Sequence, residues 1–160
     1  MGELANSPSG VQFELQQRAD QATRRLEVAE RNLERLRDAY VALNSSARRY
    51  RILMMEDLHA LRRGTRPDAN GLTDAARIEF QNVYGQAQML VPNAVLEPCH
   101  AVRVALADVK KKIDGLHEDT ALDQEIWQEA HAHLIQLWDV IGVMQDAMRQ
   151  DLGITTPPDR

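Results

Sequence analysis

Two Glu-x-x-His pairs, Glu56 with His59 and Glu97 with His100, carry the spacing with which carboxylate-bridged di-iron bundles aim two ligands into a helical core. The apolar periodicity around the first pair places Glu56 and His59 on the solvent side, so the spacing alone assembles no metal site. His131 and His133 stand about 200° apart on a helix and cannot grip one ion together. Glu129 with His133, and Trp127 with His131, share faces, yet one carboxylate and one imidazole fall short of a zinc ligand set. Cys99 beside His100 would need a side-chain hydrogen bond to act as nucleophile and base, and adjacent helical residues point about 100° apart. The run His117-Glu118-Asp119-Thr120 has its threonine one place too early for a phosphoacceptor histidine. These patterns predict no catalytic residue, no metal and no cofactor, and hence a protein that is not an enzyme.

The strongest surface feature is basic: Arg48, Arg49, Arg51, Arg62, Arg63 and Arg66, interrupted by Glu56 and Asp57. Such a cluster suits phosphate, nucleic acid or the carboxylates of a protein partner. It equally suits the acidic stretch Asp114, Glu118, Asp119, Asp123, Glu125 and Glu129 of the same chain.

The elements that position these residues are read from apolar spacing. From Leu15 to Leu61 apolar residues recur by alternate steps of four and three, a heptad seam with a positions at Ala19, Leu26, Leu33, Tyr40, Ala47, Met54 and Leu61. Its d positions are Leu15, Ala22, Ala29, Leu36, Leu43 and Tyr50. A sustained 3.5-residue period calls for left-handed, coiled-coil-like packing. The seam slips at Asp57, where Leu58 takes over. A helix from Val11 to Arg63 is longer than a domain of this mass is wide, which predicts an elongated molecule.

Gly64 to Gly71 is dense in turn formers and predicts a reversal. Thr73 then caps a helix whose stripe is Ala76, Phe80, Val83, Ala87 and Leu90. Pro92 predicts a kink, because a proline inside a helix removes a hydrogen bond and clashes with the preceding turn at a cost of ~3 kcal/mol. With no loop residues spared for a reversal, Asn93 to Asp114 is expected to continue in roughly the same direction. Its inward set is Ala94, Val95, Val102, Ala105, Leu106, Val109 and Ile113, with Cys99 buried as a small apolar side chain. Gly115 to Asp119 reads as a loop, and Asp119 or Thr120 as the cap of a last helix with the stripe Leu122, Ile126, Ala130, Leu134, Leu137, Ile141, Met144 and Met148. Gly153 and Ile154 suit a left-handed C-terminal cap.

Composition agrees with helix on helix. Of 160 residues 44% are hydrophobic but only 4% aromatic, which favours Ala- and Leu-lined helices over a β-sandwich. The net charge of -5 weighs against a dedicated nucleic-acid binder. The single cysteine excludes an intrachain disulfide and points to a reducing compartment. No stretch reaches the length of an uncharged membrane span, and the expected location is the cytoplasm. The basic residues are nearly all Arg, with Lys110, Lys111 and Lys112 the only lysines, a bias expected of a GC-rich bacterial genome.

The run FQNVYGQAQMLVPNAVLEPCHAVRVAL at Phe80 to Leu106, with AMRQDLG at Ala147 to Gly153, resembles a family of uncharacterised bacterial all-helical proteins that begin with a long helix. The resemblance implies a helical fold, carries no activity and transfers no functional residue. The expectation is an all-α, elongated up-down-up bundle: residues 1–10 a disordered tail, 11–153 one helical domain with its middle helix kinked at Pro92, and 154–160 a C-terminal tail. Its function is expected to be protein–protein interaction or self-association through the long helix. The alternative is nucleic-acid association through the Arg48–Arg66 cluster.

Overall fold

The computed structural model describes residues 8–118 and 121–154. Among them it contains four helices and no strand: α1 Pro8–Arg62, α2 Leu72–Ala87, α3 Asn93–Glu118 and α4 Gln124–Asp151. The protein is an all-α helical bundle. Where the sequence predicts one domain over 11–153, the chain divides into two units, 1–36 and 37–160. Helix α1 starts at Pro8, so Pro8, Ser9 and Gly10 are helical rather than tail. A proline in the first turn costs nothing, since the N–H it lacks has no intrahelical partner there. Residues 1–7, 119–120 and 155–160 lie outside the described residues, and with them most of both expected tails and the expected caps Asp119 and Thr120.

Within 37–160 the seam of α1 is core. Tyr40, Leu43, Ala47, Tyr50 and Met54 are buried, and beyond the slip Leu58 is buried too. Asp57, the residue at the slip, is itself buried and does local work: its Oδ1 accepts the backbone N–H of Asp68 at 2.9 Å. Asp68, at positive φ, turns its own carboxylate onto the start of α2 and accepts the N–H groups of Thr73 (2.8 Å) and Asp74 (3.2 Å). This corrects the expected cap. Thr73 is buried inside the first turn, the N-cap position is Gly71 at φ 69° with no side chain to offer, and Asp68 satisfies the orphan donors from a distance.

The expected kink at Pro92 is also corrected. Residues 84 and 103 would lie about 28 Å apart on a helix that carried straight on, at ~1.5 Å per residue, yet the Arg103 guanidinium sits 5.4 Å from the Tyr84 ring centroid. The chain therefore turns back between Ala87 and Asn93. Five residues suffice for such a helix–helix connection. Val91 closes the end of α2 with its N–H on the Ala87 carbonyl, and the Pro92 carbonyl accepts from Leu96 to open α3. Phe80, Tyr84 and Ala87 of α2 and Val95, Cys99, Val102 and Leu106 of α3 are all buried, and Phe80 and Leu106 line one cleft. Leu90 and Ala94, expected inward, fall at or beside the turn and are exposed.

Helix α3 runs through Gly115 to Glu118, past the loop predicted there, and buries Leu116 in addition to Val109 and Ile113. The cap of α4 is Asp123, whose carboxylate accepts from the backbone of Glu125 and Ile126. Helix α4 buries Trp127, Ala130, Leu134, Leu137, Ile141, Met144 and Met148. Its end is as the sequence predicts: Gly153 has φ 74° and the Ile154 N–H reaches back to the Arg149 carbonyl at 2.8 Å. Helix α4 runs antiparallel to the 37–62 part of α1, because the Tyr40 hydroxyl donates to Asp151 at one end (2.6 Å) and Trp127 Nε1 to the Leu58 carbonyl at the other (2.8 Å). An up-down-up arrangement would have made them parallel. The reversal after α2 supplies the extra change of direction.

Candidate functional site

The six arginines do not form one patch. Arg48 and Arg51, three residues apart on α1, both lean over the Trp138 ring of α4, their guanidinium carbons 4.8 and 5.2 Å from its centroid. Arg48 also donates to Asn44 Oδ1 (3.3 Å) and Gln145 Oε1 (3.0 Å), and Arg51 Nε donates to the Leu134 carbonyl (2.7 Å). Burial draws the Arg51 guanidinium below its ordinary pKa. One turn or more along, Arg62 covers the Trp127 ring at 4.5 Å. These three cations are thus held by indoles, amides and a carbonyl, with no ion pair to the acidic stretch among the described residues. The two short ion pairs, Arg77 with Asp74 and Lys110 with Asp114, lie elsewhere.

Arg63 and Arg66 line a polar recess together with the carboxylates of Glu56, Asp57 and Asp68. Arg49 is exposed. The cluster resolves into an Arg–Trp ladder between α1 and α4, a mixed-charge loop region and one solvated arginine.

The histidines separate as their spacing requires. His131 stacks on Trp127 (5.2 Å, 12° between planes) and meets His59 of α1 edge-on at 5.9 Å. His133 faces α3 instead, its Nδ1 3.1 Å from Lys112 Nζ, a contact that suits a neutral imidazole protonated at Nε2. Glu56, Glu97 and His100 are exposed, whereas a di-iron set must point into the core. Among the described residues no group of three His, Cys, Asp or Glu side chains comes together. Cys99 is buried, which pushes its thiol up to about 11, and a neutral thiol is a poor nucleophile. No helix of the described residues is long and apolar enough to cross a membrane.

The remaining candidate is the first half of the seam. Between residues 9 and 36 every residue but Gly10 and Leu36 is exposed. Leu15, Leu26 and Leu33 leave 57%, 66% and 40% of their surface to solvent, while the same heptad positions from Tyr40 to Met54 are buried. Heptad leucines gain stability only when seated between the side chains of a facing helix.

No protein-family model, curated protein or solved structure matches this chain.

Sequence reasoning found the arginines, and it found that Trp127 and His131 share a face. It missed the pairing of Arg48 and Arg51 with Trp138 and of His59 with His131, because each pair joins helices some 70 or more residues apart in the chain. Their i, i+3 and i, i+4 spacings mark a common face but do not name the helix opposite it.

Proposed function

We propose that the protein is a non-enzymatic helical interaction module that self-associates through residues 15–36 of α1. The observation that carries this reading is the exposure of Leu15, Leu26 and Leu33 on a seam whose continuation is core. A second copy suits the positions flanking that seam. In a parallel, in-register pair each g position faces the e position five residues on, which sets Arg25 against Glu30 of the other copy twice, and Arg18 against Thr23 and Asn32 against Arg37 without a like-charge clash. Ala19, Ala22 and Ala29 leave room for close approach of the two backbones.

The experiment is sedimentation equilibrium of the full chain over a wide concentration range, beside Leu26→Asp. The leucine is two-thirds exposed in the single chain, so the substitution leaves the fold intact. A reversible monomer–oligomer equilibrium in the parent, shifted to monomer in the variant, supports the reading. A parent that stays monomeric throughout overturns it.

A second reading has one observation in its favour. Trp138 is 49% exposed beneath two guanidinium groups that meet no carboxylate among the described residues. Aromatic faces flanked by arginine are what single-stranded nucleic acid stacks upon. The net charge of -5 and the carboxylates around Arg63 and Arg66 weigh against it, so it stays second.

A further inference from the structure

A cleft of about 330 Å³ opens between α2 and α3 with Tyr50 of α1 at its floor. Its inner wall is apolar, formed by the buried Phe80 and Leu106 and the Tyr50 ring. Its rim is not. Arg77, Arg103, Lys110 and Lys111 stand around it against one carboxylate, Asp114, so four cations converge in a chain whose net charge is -5. Two of the chain's three lysines are here. Lys110 is neutralised by Asp114 at 2.8 Å and Arg77 by Asp74 at 2.7 Å. Among the described residues Arg103 meets the Tyr84 ring and His100 Nδ1 (3.2 Å) and no carboxylate, and Lys111 is exposed. The Tyr50 hydroxyl meets no acceptor among the described residues.

We propose that this cleft binds a small organic anion with an apolar body, its acid group at Arg103 and Lys111 and its body against Phe80 and Leu106. Binding sites for small molecules combine an apolar wall with a few convergent polar groups in this way, and their volumes begin near 300 Å³. At roughly 30 Å³ of liquid per water, 330 Å³ holds about eleven waters, room for a medium-length alkyl or single-ring body. An uncharged ligand would leave the unpaired cations unanswered. A bare anion would leave the apolar wall wet. The site lies wholly within residues 37–160 and stands whether or not α1 pairs with a second copy.

Octanoate is the probe, titrated into the isotope-labelled full chain and followed by backbone amide shifts. Saturable shifts are expected at Gln81, Arg103 and Ala107, with octan-1-ol and inorganic phosphate each binding at least tenfold more weakly. Ala107 lines the cleft but is exposed, so Ala107→Trp fills the cleft without disturbing the core and abolishes those shifts. Arg103→Gln weakens octanoate by about tenfold, the size of one charge-assisted contact. The proposal is overturned if no saturable shift occurs or if octanol binds as tightly as octanoate. It is equally overturned if both variants bind octanoate like the parent, or if the shifts fall on residues 15–36 instead.

Discussion

Several side chains in this bundle hold one helix to another through a single polar atom on an otherwise apolar body. Trp127 is 4% exposed and donates to the Leu58 carbonyl, which fixes the approach of α4 to α1 while its ring carries Arg62 and His131. Tyr40 does the same at the opposite end through Asp151, and burial together with that hydrogen bond pushes its hydroxyl well above the ordinary range. Cys99 has no such partner and is purely a packing group, raised by burial from 9.0 to about 11. A raised folded-state value means that the unfolded chain loses this proton first. The Cys99 contribution is therefore complete below about pH 9 and is lost as the pH climbs toward about 11. Urea unfolding at pH 8 and pH 10.5 should show the parent losing stability over that interval, and Cys99→Ala losing less of it. Equal losses would mean that the thiol ionises as freely folded as unfolded.

At the scale of elements, α1 is one helix with two chemical environments. Leu43 and Leu33 belong to the same seam, but the first is fully buried and the second 40% exposed. Cutting a buried leucine to alanine leaves a cavity and typically costs 2 to 5 kcal/mol. Leu43→Ala should therefore lower the melting temperature by several degrees at every protein concentration. Leu33→Ala has no cavity to open in the single chain, so its effect should grow with concentration, by mass action, only as far as the seam is covered by a second copy. Thermal melts of both variants across a hundredfold dilution series separate the two. A concentration-independent loss of the Leu43 size in Leu33→Ala would place Leu33 in an intramolecular core. The start of α2 shows a different dependence: Gly71 offers no side-chain cap, and Asp68 of the preceding loop, its own N–H held by Asp57 of α1, stands in for it.

Over the whole molecule, charge is distributed against its average. The chain is acidic overall, yet cations collect in two places, the Arg–Trp ladder of α1 and α4 and the cleft between α2 and α3. The Arg48 and Arg51 guanidinium groups are oriented by neutral groups and meet no carboxylate among the described residues. If that ladder served nucleic acid, binding of a single strand would fall steeply with salt, with a slope of about -0.7 for each phosphate neutralised. The expected outcome is weak binding at low salt that vanishes near physiological salt, unchanged in slope by Arg48→Ala with Arg51→Ala. Tight binding at moderate salt whose slope the double variant reduces would move the second reading ahead of self-association.

Sequence by itself determined the helices and most of the core. The periodic stripes of α1 from Tyr40 to Met54, of α3 from Val95 except the half-buried Ala105, and of α4 from Ala130 are buried, because a helix can bury only one face and apolar spacing marks that face. Gly153 with Ile154 was legible for a similar reason, a local motif closed within six residues. The slip at Asp57 could be seen, but not its cause, since the group that Asp57 satisfies lies eleven residues on in a loop. Pro92 shows the limit most clearly. The proline predicted a break, and a break is there, but whether the chain bends or returns shows only in the contact that brings Arg103 back over the Tyr84 ring, a contact between segments that no local pattern encodes. The same reason dissolved the arginine cluster: neighbours along a helix share charge in sequence, and the helix packed against them gives Arg48 and Arg51 one indole and Arg62 another.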